Sequence, residues 1–185
     1  MQINDVEINN KISDVEENTT IAVTMLNDIV SRYSAQLDNI MSGIHRDIVS
    51  IKEPSISDIE KYFLELTNAL YYFSTNAEYL SLYDGIAKSM YKEAYNNAYL
   101  SVNDNADKSS KKTVAEVTAI AEAQSLYDQT VSDIYNKAYK ILKAKVETAQ
   151  TMVSTLSKVL SKRMSEQQLM ATIPTRVEEQ ENGFT

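Results

Sequence analysis

Apolar residues recur along this chain at steps of three and four, and the recurrence breaks in only a few places. Ala22, Leu26, Ile29, Tyr33, Leu37, Ile40, Ile44, Ile48 and Ile51 form the first run. A side chain placed every three or four residues returns to one side of an α-helix, so the run predicts a helix over about residues 14–52. Pro54 ends it, because the residue ahead of a proline is pushed out of the α region. The next stripe holds Ile59, Phe63, Leu66, Leu70, Phe73, Ala77 and Leu80, then shifts register to Tyr83, Ala87, Met90, Ala94 and Ala98. Ser57, with Glu60 three residues on, reads as the capping box that opens this second helix over residues 57–100. Gly85 stands near the register shift. The polar stretch SVNDNADKSS at 101–110 reads as a turn or short loop.

Thr113 and Glu116, in TVAE, make a second capping box, and no breaker follows before Pro174. Tyr135, Ala138, Leu142, Val146, Ala149, Val153, Leu156, Leu160 and Met164 then keep a 3–4 spacing that reads as a coiled-coil seam. A helix over 113–169 would be roughly 85 Å long at 1.5 Å per residue. Its C-terminal half outruns a hairpin partner and must pack on the first helix or on another subunit. The expected fold class is all-α: a long antiparallel helical hairpin or coiled coil over 54–170, an N-terminal amphipathic helix within 1–53, and a flexible tail at 171–185. Homo-oligomerisation is the expectation that goes with the overhanging seam.

Composition narrows the chemistry. Cysteine is absent, which removes disulfides, thiolate metal ligands and a cysteine nucleophile. The single histidine, His45, adjoins apolar Ile44 and reads as a boundary residue. No Gly-rich phosphate loop, His/Cys cluster or nucleophile elbow occurs. The chain is therefore expected to be non-enzymatic, with neither cofactor nor metal. No apolar run reaches the roughly 20 residues of a membrane span, and MQINDVEINN is too polar for a signal peptide. The expectation is a cytoplasmic protein, in the host cytoplasm if it is viral.

The formal net charge of −8 hides a division along the chain. Residues 1–107 hold 17 acids and 7 bases, whereas 108–170 hold 10 bases and 6 acids. Lys137, Lys140, Lys143, Lys145, Lys158, Lys162 and Arg163 fall within 137–163 against the single acid Glu147. A polyanion responds to such a local potential more than to the total. A solvated lysine face is the plainer meaning. The 12 tyrosines add to the picture, because YKEAYNNAY and YNKAYKILK both place rings four residues apart. Such rings pack between helices with their hydroxyls at the edge, or they stack on bases of a single strand while lysines hold its phosphates. Tyr139, between Lys137, Lys140 and Lys143, is the candidate for stacking.

The pattern YLSLYDGIAKSMYKEAYNNAYL, a linker, and KTVAEVTAIAEAQSLYDQTVSDIYNKAYKILKAKVETAQTMVSTLSKVLSKRMSE resembles the UvsY-like phage recombination mediators over about residues 66–166. The chain departs from them in its long N-terminal helix, and in Val117 and Ala121 where the family has basic residues. The resemblance implies a non-catalytic, ring-like oligomer that holds single-stranded DNA and helps load a recombinase on strands coated with single-strand-binding protein. The matching contact residues would be Lys137, Lys140, Lys143, Lys145, Lys158, Lys162 and Arg163, with Lys111 and Lys112 ahead of the cap. The alternative is an architectural protein, a virion or scaffold component acting through coiled-coil self-association.

Overall fold

The computed structural model describes residues 5–104 and 112–181, and the side chains of 11–17, 19–102 and 112–171. Three long helices account for nearly all of it: α1 (Asp5–Ile44), α2 (Ile56–Asp104) and α3 (Val114–Glu181). One π-helical turn, His45–Val49, follows α1 directly. Among the described residues there is no strand, so the protein is all-α. No helix there is long and apolar enough to cross a membrane.

The helix ends show which local signals prevailed. The first helix, expected to run to 52 in α geometry, changes at Ile44 to the wider turn. There Ser50 donates both its backbone N–H and its hydroxyl to the His45 carbonyl, each at 2.9 Å, a five-residue step in place of four. The second helix is capped by Ser55, not by Ser57. The Ser55 hydroxyl oxygen accepts the Asp58 N–H at 3.0 Å and donates to the Asp58 carboxylate at 2.6 Å. Both serines have an acid three residues later; the helix extends back until Pro54 stops it, which leaves Ser55 at the end. At α3 the box forms as the sequence predicts. Thr113 donates its N–H to Glu116 at 2.8 Å, and the Glu116 N–H returns to the Thr113 hydroxyl oxygen at 3.3 Å. Further on, α3 continues through Pro174 to Glu181, where the sequence suggests a flexible tail. A following proline disfavours the α conformation without barring it.

The chain folds as two compact units, each using a segment of every long helix. The first comprises Met1–Tyr33 and Thr75–Lys143. Its apolar centre is Val30, Leu80, Ala138 and Leu142, flanked by Leu26, Ile29, Tyr33, Ala77, Tyr135 and Tyr139. Here α2 and α3 are antiparallel: Asp84 meets Asn136, while Tyr95, further along α2, shares a groove with Glu122, earlier on α3. Asp84 is only 6% exposed, and a carboxylate so placed needs partners. It accepts the Lys88 ammonium at 2.7 Å and the Asn136 amide at 3.2 Å to each oxygen.

The second unit comprises Ser34–Ser74 and Ala144–Thr185. Its core gathers Leu37, Ile40, Ile44, Ile48, Ile59, Leu66, Phe73, Val146, Ala149 and Leu156. Val153 and Leu160 pack against it. The seam expected to overhang is thus covered inside the unit, by α1 and the first part of α2, as far as Leu160. The first helix, one of the two covers the sequence allows, contributes Leu37, Ile40 and Ile44 to this core.

Gly43 admits a close crossing. A Cβ there would lie 2.6 Å from the Tyr62 hydroxyl and 2.9 Å from its ring. That hydroxyl donates to Asp47, which Arg46 also grips at 2.7 and 2.9 Å. The Arg46 bond, then the Tyr62 bond, hold the Asp47 carboxyl well below the usual carboxylate range. The Asp47 bond in turn pushes the Tyr62 hydroxyl up. Gly43→Ala is expected to displace Tyr62 and cost about 1–3 kcal/mol in urea unfolding, as overpacking does. A pH effect follows at the α3 cap. Bonds from Thr113 lower the Glu116 pKa, so its contribution is complete above the unfolded carboxylate range and fades as pH falls through the folded value. The stability gap between the parent and Glu116→Ala is expected at pH 7 and should shrink on acidification below about pH 4, read from urea midpoints.

Candidate nucleic-acid interface

The basic middle of α3 is held from one side. Ala138 and Leu142 are fully buried, and Tyr135 and Tyr139 rest half-buried on the same cluster with Leu80. The other side of this segment carries Lys137, Lys140 and Lys143, all exposed. Steps of three fall about 60° short of a full turn, so the three amines spread over about 120° of helix surface. Among the described residues none of the three forms an ion pair. No acid lies between Asp133 and Glu147, which are roughly a turn beyond either end.

Lys145 belongs to a different environment, in the second unit. Its ammonium lies 2.6 and 2.7 Å from the two Asp38 oxygens and 3.0 Å from the Ser34 hydroxyl. Ser34 is fully buried and donates to Asp38 at 2.8 Å. The amine is engaged within the fold, tying α3 to α1. Lys158 is exposed, and among the described residues it forms no ion pair. Lys162 and Arg163 both turn to Glu166, at 3.8 and 3.5 Å. Lys112 is exposed just ahead of the Thr113 cap, and Lys111 lies outside the described residues.

The tyrosines divide in the same way. Tyr83 of α2 stacks on Tyr135 of α3, with ring centres 5.9 Å apart. Burial, then the neighbouring Tyr83, raises the pKa of Tyr33 beside them. The Tyr91, Tyr95 and Tyr99 rings follow one another along α2 at 6.5 and 6.3 Å. Of the three tyrosines on α3, Tyr127 is the open one, at 80% exposure. Its place off the 3–4 seam was the available signal. The partners of Lys145 left no such signal, because Asp38 is more than a hundred residues away in sequence.

No protein-family model, curated protein or solved structure matches the chain. The candidate surface therefore stands on its own geometry. Lys145→Met is expected to lower stability by about 1 kcal/mol, as for a half-exposed ion pair, which urea unfolding checks.

Proposed function

We propose that this protein is a non-enzymatic accessory factor that binds single-stranded DNA and assists loading of a recombinase, as its resemblance to the UvsY-like mediators implies. One observation carries the DNA-binding half. Lys137, Lys140 and Lys143 stand exposed with no ion-pair partner among the described residues, while the opposite side of the same turns anchors the helix. Ammonium groups fixed on a supported helix suit a flexible phosphate backbone, which gains affinity from counterion release. Lys158, in the second unit, is exposed and forms no ion pair among the described residues. Lys145 is occupied, and Tyr139 would have to give up core contacts to meet a base. The mediator role, its recombinase and its single-strand-binding protein rest on the resemblance alone.

The architectural reading draws on a separate observation: Leu64, Tyr71, Tyr72, Leu82 and Met90 of α2 are each more than half exposed. Titration with a single-stranded oligonucleotide at two salt concentrations separates the two readings. Replacing Lys137 and Lys140 with Ser should weaken binding for every sequence and lower the salt slope by about 0.7 per lost contact. Tyr139→Ala should mainly lower the melting temperature. Unaltered affinity after the double lysine change would leave the architectural role as the better account.

A further inference from the structure

Within the first unit, α1 and α3 enclose a groove of about 270 Å³. That is just under the roughly 300–1,000 Å³ of sites for drug-sized ligands, so it suits a single ring system. Met25 of α1 and Val131, Ile134 and Tyr135 of α3 supply apolar walls, and Asp28 and Arg32 of α1 supply the polar groups. Tyr83 stacks on Tyr135 with ring centres 5.9 Å apart, which holds that wall in place. Asp28 and Arg32 stand four residues apart, a spacing at which opposite charges pair along a helix. They do not pair here. Both are exposed, and among the described residues neither the Asp28 carboxylate nor the Arg32 guanidinium has an ion-pair or hydrogen-bond partner.

Building on the DNA-binding reading above, we propose that this groove seats one base of the single strand whose phosphates meet Lys137, with the base edge against Asp28 and Arg32. Position favours that occupant. Around α3, Val131 lies between Ile134 and Tyr135, so Ile134 forms one flank of the groove. Lys137 follows about 60° further round on that side, and Asp133 comes only at about 100°. A strand leaving the groove over Ile134 therefore meets the amine before the acid. Chemistry favours it as well. Cytosine, adenine and guanine each carry an exocyclic amine that donates, beside atoms that accept. A carboxylate and a guanidinium side by side match such an edge, the first accepting and the second donating. Thymine has no amine to offer Asp28. The Tyr135 ring and the aliphatic walls meet the flat faces of the base, as aromatic platforms do in single-strand binding.

The chain has no tryptophan, so Met25→Trp places a lone indole at the groove, on a position already 53% exposed. Titration with oligo-dC above neutral pH should quench it, with the midpoint that anisotropy of the labelled oligonucleotide gives. Asp28→Ala tests the edge contact by the sign of its effect. Removing an acid strengthens a contact made to phosphates alone. Loss of the base contact should instead weaken oligo-dC binding by about fivefold or more, while oligo-dT binding rises. The Asp28 carboxylate is exposed and unpartnered, so the melting temperature of this variant should match the parent's. Oligo-dC binding without quenching in Met25→Trp overturns the base site and leaves the DNA-binding reading standing. So does an Asp28→Ala variant that binds oligo-dC as tightly as the parent or more tightly. A parent chain that binds neither oligonucleotide overturns both.

Discussion

An apolar stripe on a helix is unstable in water until something covers it, and α3 carries such a stripe from Tyr135 to Leu160. Everything else in the molecule is arranged around that cover. In the first unit the stripe meets Leu80 of α2 and Val30 of α1. In the second, Val146, Ala149 and Leu156 meet Ile44 and Ile48 before the chain reverses, and Ile59 and Leu66 after it. The six residues between the π-helical turn and α2 are what let one chain supply both covering helices.

Polar residues inside these contacts fix which residue meets which. Apolar packing alone tolerates sliding by a turn, but Asp84 finds Asn136 in one register only, and Lys145 finds Asp38 and Ser34 in one register only. A buried or half-buried charge gains little net stability, yet losing its partner is costly, so misregistered packings are penalised. The same accounting separates the basic residues. A lysine that holds the fold in register is not available to a ligand, and a lysine on the far side of the helix is.

The helices and their all-α assembly were legible because period-3.6 patterning follows directly from which side chains must leave water. The Thr113–Glu116 box was legible for a local reason, since all of its groups lie within four residues. Ser55 and Ser57 were ambiguous, each having an acid three residues later, and only the placement of Pro54 decides between them. The Gly43–Tyr62 crossing had a visible mark in the glycine, but its partner comes from another helix. The basic surface was legible as composition and not as availability. Nothing local to Lys145 reveals Asp38, and nothing local to Lys137 reveals that it has no ion-pair partner among the described residues. Tyr139 sits among lysines in the sequence, yet its ring follows the seam, because four residues from Tyr135 is a seam position.

The π-helical turn at His45–Val49 bears on how the chain tolerates a change of length. A turn closed by a five-residue hydrogen-bond step holds one residue more than the α ladder would. Deleting one residue there would let the segment revert to α geometry while the residues on either side keep their phase. Because Ile44 and Ile48 stay buried on either side of the extra residue, the core does not register its presence. This short segment can therefore gain or lose a residue without rewriting the hydrophobic phase of α1.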